Sequence, residues 1–145
     1  MISYLLLNLL SFPEVGNYAR FEANYKGQIF ELKKVLIEHN ESKDTFLLVT
    51  KLSQNEEVIS EDYSELPRMW FYTREKVESV LKNCSRREGA RENVLIHGVK
   101  IEACTFHNED AQLDYTIGMV PFGQIRFQSY LGRGEFLDFY LKDFN

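Results

Sequence analysis

The sequence predicts a mainly β domain: a strongly curved antiparallel sheet, or half-barrel, with two short helices as a lid. A closed β-barrel is the alternative. Three observations predict it. Ala19, Phe21, Ala23 and Tyr25 alternate with Arg20, Glu22, Asn24 and Lys26, the period-2 pattern of a strand with one dry and one wet face, and similar runs recur along the chain. Eleven Phe and eight Tyr stand against three Pro, and aromatic residues suit a pleated, half-buried surface. Helical patterns do not alternate with the strands, which disfavours a parallel doubly wound sheet.

The elements follow in order. In "MISYLLLNLLSFPEVG", Ile2, Leu5, Leu6, Leu9 and Leu10 fall on one face of a short helix that Pro13 ends. From Tyr18 the period changes to 2. "YARFEANYK", "QIFELKKVLIEH", "TFLLVTKLS" and "EVISEDY" form a meander of four strands, joined by Gly27, "NESKD" and "QNEE". "SELPRMWFY" carries the only Trp, and "TREKVESVLKNC" is the second helix. There Thr73 is the N-cap, Glu75 suits the positive end of the helix dipole, and Val77, Val80 and Leu81 share a face. "SRREGARE" is a polar loop before "NVLIH" and "VKIEACTF", and "HNEDAQ" is a turn. "LDYTI", "QIRFQSY" and "FLDFYL" are three further strands, for a total of eight or nine.

Between the first two of these lies "GMVPFG"; "LGRGE" is a hairpin turn before the last. Gly118 and Gly123 are expected to take backbone conformations barred to other residues, and Pro121 cannot donate to a ladder. The wedge therefore ends one strand and sets the register of the next, with Phe122 tucked inward as an anchor. No internal repeat, linker or low-complexity segment divides the chain, so residues 1–145 form a single domain, large enough to bury a core without a metal.

A net charge of −5 and a pI near 5.3 argue against nucleic acid as a partner, because a phosphate-binding surface needs an excess of Lys and Arg. Arg86, Arg87 and Arg91 read as a solvated loop. No apolar run approaches the roughly 20 residues that span a bilayer, which leaves only peripheral contact with a membrane. The N-terminal stretch lacks a basic n-region and a small-x-small cleavage site, so no leader is visible in it.

No constellation for catalysis is found, and the protein is expected not to be an enzyme. His107, Glu109 and Asp110 in "HNED" read as a solvated turn and not a metal site. His39 and His97 have no companion that makes a nucleophile–base pair. Asp62, Glu65, Asp114 and Asp138 are scattered on polar faces, and neither a G-x-S-x-G motif nor a phosphate-binding glycine loop occurs. No metal and no cofactor are expected. Cys84 and Cys104 lie twenty positions apart without CxxC or Cys/His spacing. On the residues alone they are either a disulfide tying helix to sheet or two unrelated buried thiols.

"VLKNC", "VLIHGVKIEACTF" and "IGMVPFGQIRF" together resemble the C-terminal half of a loose group of exported bacterial proteins of unknown function. That group is similar in turn to the lipoprotein-carrier and lipoprotein-receptor half-barrels (LolA/LolB-like). The resemblance covers residues 75 to 130 and, by element order, the rest. It implies a curved sheet around an apolar cavity, a periplasmic or secreted location with a cytoplasmic one as the alternative, and a Cys84–Cys104 disulfide. With the aromatic strand faces it implies a non-catalytic binding protein that holds a lipid or acyl chain against Phe21, Tyr25, Phe46, Phe127 and Phe139. The alternative is an acidic protein-interaction module of inhibitor or immunity type, for which Glu56, Glu57, Glu61, Asp62 and Glu65 in "NEEVISEDYSE" would form one surface patch facing a protein partner.

Overall fold

The computed structural model describes residues 12–145. Nine strands run in it: β1 (Tyr18–Tyr25), β2 (Gln28–Asn40), β3 (Thr45–Gln54), β4 (Glu57–Pro67), β5 (Ala90–Ile96), β6 (Val99–Asn108), β7 (Leu113–Gly118), β8 (Gln124–Gly132) and β9 (Glu135–Phe144). Between β4 and β5 lie a 3-10 turn (Arg68–Trp70) and one helix, α1 (Arg74–Lys82). The other expected helix falls on residues 1–11, outside the described residues, so one α-helix, not two, is counted.

All nine strands join in one antiparallel sheet, ordered β4-β3-β2-β1-β9-β8-β7-β6-β5. Two meanders therefore meet at β1 and β9, where Phe21 stands opposite Leu141 and Ala23 opposite Phe139. The sheet is open, which sets aside the closed barrel. Closure would need the edge strands β4 and β5 to pair, and they do not; the row of β4 opposite Leu52, Thr50 and Leu48 is Ser60, Asp62 and Ser64.

Tight hairpins hold the register. Lys26–Gly27, His97–Gly98 and Arg133–Gly134 are two-residue connections with positive φ at both positions, the backbone that matches the twist of the flanking strands. The polar stretch read as a loop through Glu92 gives way to β5 at Ala90, and β4 continues past Tyr63 to Pro67. Both are edge strands with exposed side chains on both faces, so polar residues build them and the alternating apolar signal is missing.

The main core joins Phe21, Leu36, Phe46, Phe71, Ile101 and Val120. A second cluster packs Val77 and Leu81 of α1 against Cys84, Cys104 and Phe106. Strand β6 is thus buried on both faces, Ile101 and Ala103 facing one cluster and Cys104 and Phe106 the other. Cys84 and Cys104 are disulfide-bonded with their Cα atoms 5.9 Å apart. Helix α1 starts as expected: Lys76 N–H donates to Thr73 Oγ1 (3.4 Å), and Glu75 lies in the first turn.

The Val120–Gly123 wedge is a tight reversal. Gly118 N–H donates to the Gly123 carbonyl (2.9 Å), and Gly123 N–H to the Val120 carbonyl (2.9 Å). Phe122 and Gly123 take the left-handed backbone, with φ of 69° and 70°. Gly118 does not, contrary to expectation; it is small because a Cβ there would lie 2.3 Å from Ile125 Cδ1 and 2.8 Å from the Glu102 carbonyl. Phe122 is buried as an anchor, edge-on to Phe12 (4.9 Å) and Phe71 (6.5 Å).

Candidate functional site

The five aromatics expected to line a cavity fall into three environments. Phe21, Phe127 and Phe139 come together on the inner face of β1, β9 and β8: Phe139 stacks on Phe127 (5.0 Å) and meets the buried Phe21 edge-on (5.6 Å). Phe46 is buried at the far end of the main core against Phe71 (5.8 Å). Tyr25 stands apart at the end of β1, with the Lys26 ammonium over its ring at 5.3 Å.

A pocket of about 200 Å³ opens beside the first group, walled by Tyr72, Tyr115, Ile117, Phe127 and Phe139 and by the polar side chain of Gln124. Arg126 also lines it but is paired with Asp138 (3.1 Å). Gln124 Oε1 accepts a hydrogen bond from Lys34 Nζ (2.8 Å), whose ammonium lies 5.9 Å from the Phe21 ring centre. Burial lowers the Lys34 pKa. Among the described residues no carboxylate pairs with it. Nothing in the period-2 pattern marks this lysine, because a strand's inner row is expected to be apolar throughout.

Two histidine–carboxylate pairs form that spacing alone did not suggest. His107 Nδ1 meets Asp114 Oδ1 at 2.5 Å across β6 and β7. His39 Nε2 meets Asp44 Oδ1 at 2.9 Å, and Arg68 Nε donates to the same carboxylate at 2.8 Å. Arg68, then His39, holds the Asp44 carboxyl down to about 2. His39 also stacks on Phe46 (4.3 Å), so this cluster caps the core. Among the described residues no hydroxyl or thiol hydrogen-bonds either ring, and no group of three His, Cys, Asp or Glu side chains could hold a metal ion. Glu109 and Asp110 are exposed in the β6–β7 turn.

The acidic stretch is exposed from Asn55 to Glu65. It forms β4, eleven residues at the edge of the sheet, and every side chain from Glu57 to Glu65 is exposed. Opposite Lys51, Val49 and Leu47, the residues Glu61, Tyr63 and Glu65 share one face. The Tyr63 hydroxyl donates to Glu61, and Thr45 Oγ1 donates to Glu65 Oε1 (2.5 Å). Apolar groups interleave: Val58, Ile59 and Tyr63 are 54%, 55% and 60% exposed. Met69 and Trp70, in the turn that follows the strand, are 73% and 70% exposed. Glu61 and Glu65 are therefore set among uncovered apolar side chains along an edge that no described strand pairs, while Asp62 lies on the opposite face and Glu56 in the β3–β4 turn, so the five acidic residues do not form one patch. The charge could be read in the sequence; its position on an edge strand could not, since strand order was not legible.

Among the described residues no helix is long and apolar enough to cross a membrane. Comparison with known protein families and with curated proteins gives no match to the chain.

Proposed function

We propose that the protein is a non-catalytic interaction module that takes a basic, extended segment of a partner protein along β4 as a tenth strand. The observation that carries this reading is the edge that no described strand pairs, long, acidic and set with exposed Val58, Ile59 and Tyr63. Proteins normally shorten, twist away or cover such an edge, and clustered apolar exposure marks an interaction surface. An added strand would satisfy the outward backbone groups of β4 and match Lys or Arg to Glu61 and Glu65. A second copy of β4 is a poor partner, because antiparallel self-pairing sets carboxylates against carboxylates.

A synthetic peptide alternating Lys and Val tests it. The expected result is saturable, salt-sensitive binding that the double variant Glu61→Lys/Glu65→Lys abolishes while melting at the wild-type temperature. Equal binding by that variant, or none by the wild type, sinks the reading.

The Cys84–Cys104 bond supports residence in an oxidising compartment, periplasmic or extracellular, since the cytosol keeps thiols reduced. The resemblance to exported half-barrels points the same way. A second reading treats the sheet as a half-barrel under a helical lid that holds an apolar ligand on its inner face. It is favoured by the aromatic-walled pocket that includes Phe127 and Phe139. Native mass measurement of protein made in an oxidising compartment checks it: a small adduct lost on denaturation supports a ligand, and a bare mass removes it.

A further inference from the structure

The geometry points to the inner pocket as a site for a small carboxylate carrying one aromatic ring, with the Lys34 ammonium as the counter-charge and Gln124 as the hinge between them. The inference rests on the second reading above and narrows it from an apolar ligand to an anion.

Size comes first. A cavity of about 150 Å³ lined by apolar side chains admits benzene, so about 200 Å³ has room for one ring and a short acid arm, and is small for a full acyl chain. Shape comes next. Tyr72, Tyr115 and the stacked Phe127 and Phe139 offer aromatic faces and edges, which pair with a ring in offset or edge-on geometry.

Charge decides the class. An ammonium has three donors, and among the described residues Lys34 uses one, toward the neutral amide of Gln124. It is turned to the inner face beside Phe21, which in turn packs on the pocket wall at Phe139. In its own cross-strand row the carboxylate is Asp62, reached only across Thr50, two strands away on the exposed edge. A cation left without an anion in an apolar setting is costly, and a ligand carboxylate reaching it gains a charge-assisted hydrogen bond. Gln124, which lines the pocket and already holds Lys34 Nζ, can turn its amide N–H₂ toward the second carboxylate oxygen.

The test titrates the oxidised full chain with 3-phenylpropionate and with 3-phenylpropanol, following amide shifts at Gln124, Phe127 and Phe139. The acid is expected to bind at least tenfold more tightly than the alcohol. Lys34→Met should erase that preference and keep the alcohol's affinity, while Lys34→Arg, which retains the charge, should keep much of it. Equal binding of acid and alcohol to the wild type overturns the anion inference and leaves the pocket reading standing. Binding of neither overturns both. Acid-selective binding that Lys34→Met leaves intact assigns the anion to another group, Arg126 first, and overturns the role of Lys34.

Discussion

At the residue scale, the decisive positions are small or charged ones that packing constrains. Gly89 carries the chain across the disulfide: a Cβ there would lie 2.5 Å from Cys104 Sγ and 2.9 Å from Phe106 Cε1. Gly123 combines a left-handed backbone with a Cβ position 2.7 Å from Tyr72 Cβ. Alanine at either should cost about 1–3 kcal/mol by overpacking, read as a lower denaturation midpoint with unchanged slope. Lys34 gives a pH signature. Its folded pKa is lowered by burial from 10.5, so between that lowered value and 10.5 the unfolded chain binds more protons and stability rises with pH. Lys34→Met should flatten the rise in alkaline denaturation curves. Asp44 gives a rise of the same sign in the acid range: held near 2 by Arg68 and His39, it contributes stability present above pH 3.8 and lost as pH falls through 2. Asp44→Asn should therefore remove part of the acid limb. Of these residues the sequence marked Gly123 through its turn; Gly89 and Lys34 were silent, because their roles depend on what the fold brings against them.

At the element scale, α1 and β4 contrast. The Thr73 cap and the Val77–Leu81 face were legible because helix signals are local, and Thr73→Ala should cost about 1 kcal/mol in thermal unfolding. Core strands such as β1 and β3 were legible for the same reason: the alternation of β1 and the nearly continuous apolar run of β3 lie within eight and ten residues. Edge strands were legible only in part: "EVISEDY" and "NVLIH" mark most of β4 and β5. Ala90–Glu92 and Ser64–Pro67 continue ladders without a buried face, so composition alone reads them as loop. The functional weight falls on β4. Hydrogen exchange should find outward amides of β4 among the fastest in the sheet, slowing only when a basic strand is bound.

At the scale of the whole molecule, the disulfide ties α1 to β6 where the two buried clusters meet. In a loop-entropy account, removing a cross-link over twenty residues costs about 3 kcal/mol. The Cys84→Ser/Cys104→Ser variant should melt correspondingly lower, with exchange in α1 affected before that in β2. The two meanders were foreseen as local hairpins, but the order that unites them was not, since no short-range pattern states that Phe21 lies beside Leu141. That central seam has a consequence for how the protein is made. Tyr18 and Asn145 exchange backbone hydrogen bonds, N–H to carbonyl in both directions, at 3.0 Å. A growing polypeptide thus cannot complete its sheet until β9 has left the ribosome, and non-local pairing of this kind is slow. The central seam is thus the last part of the sheet to zip, after the local hairpins of the β1–β4 meander have had time to form.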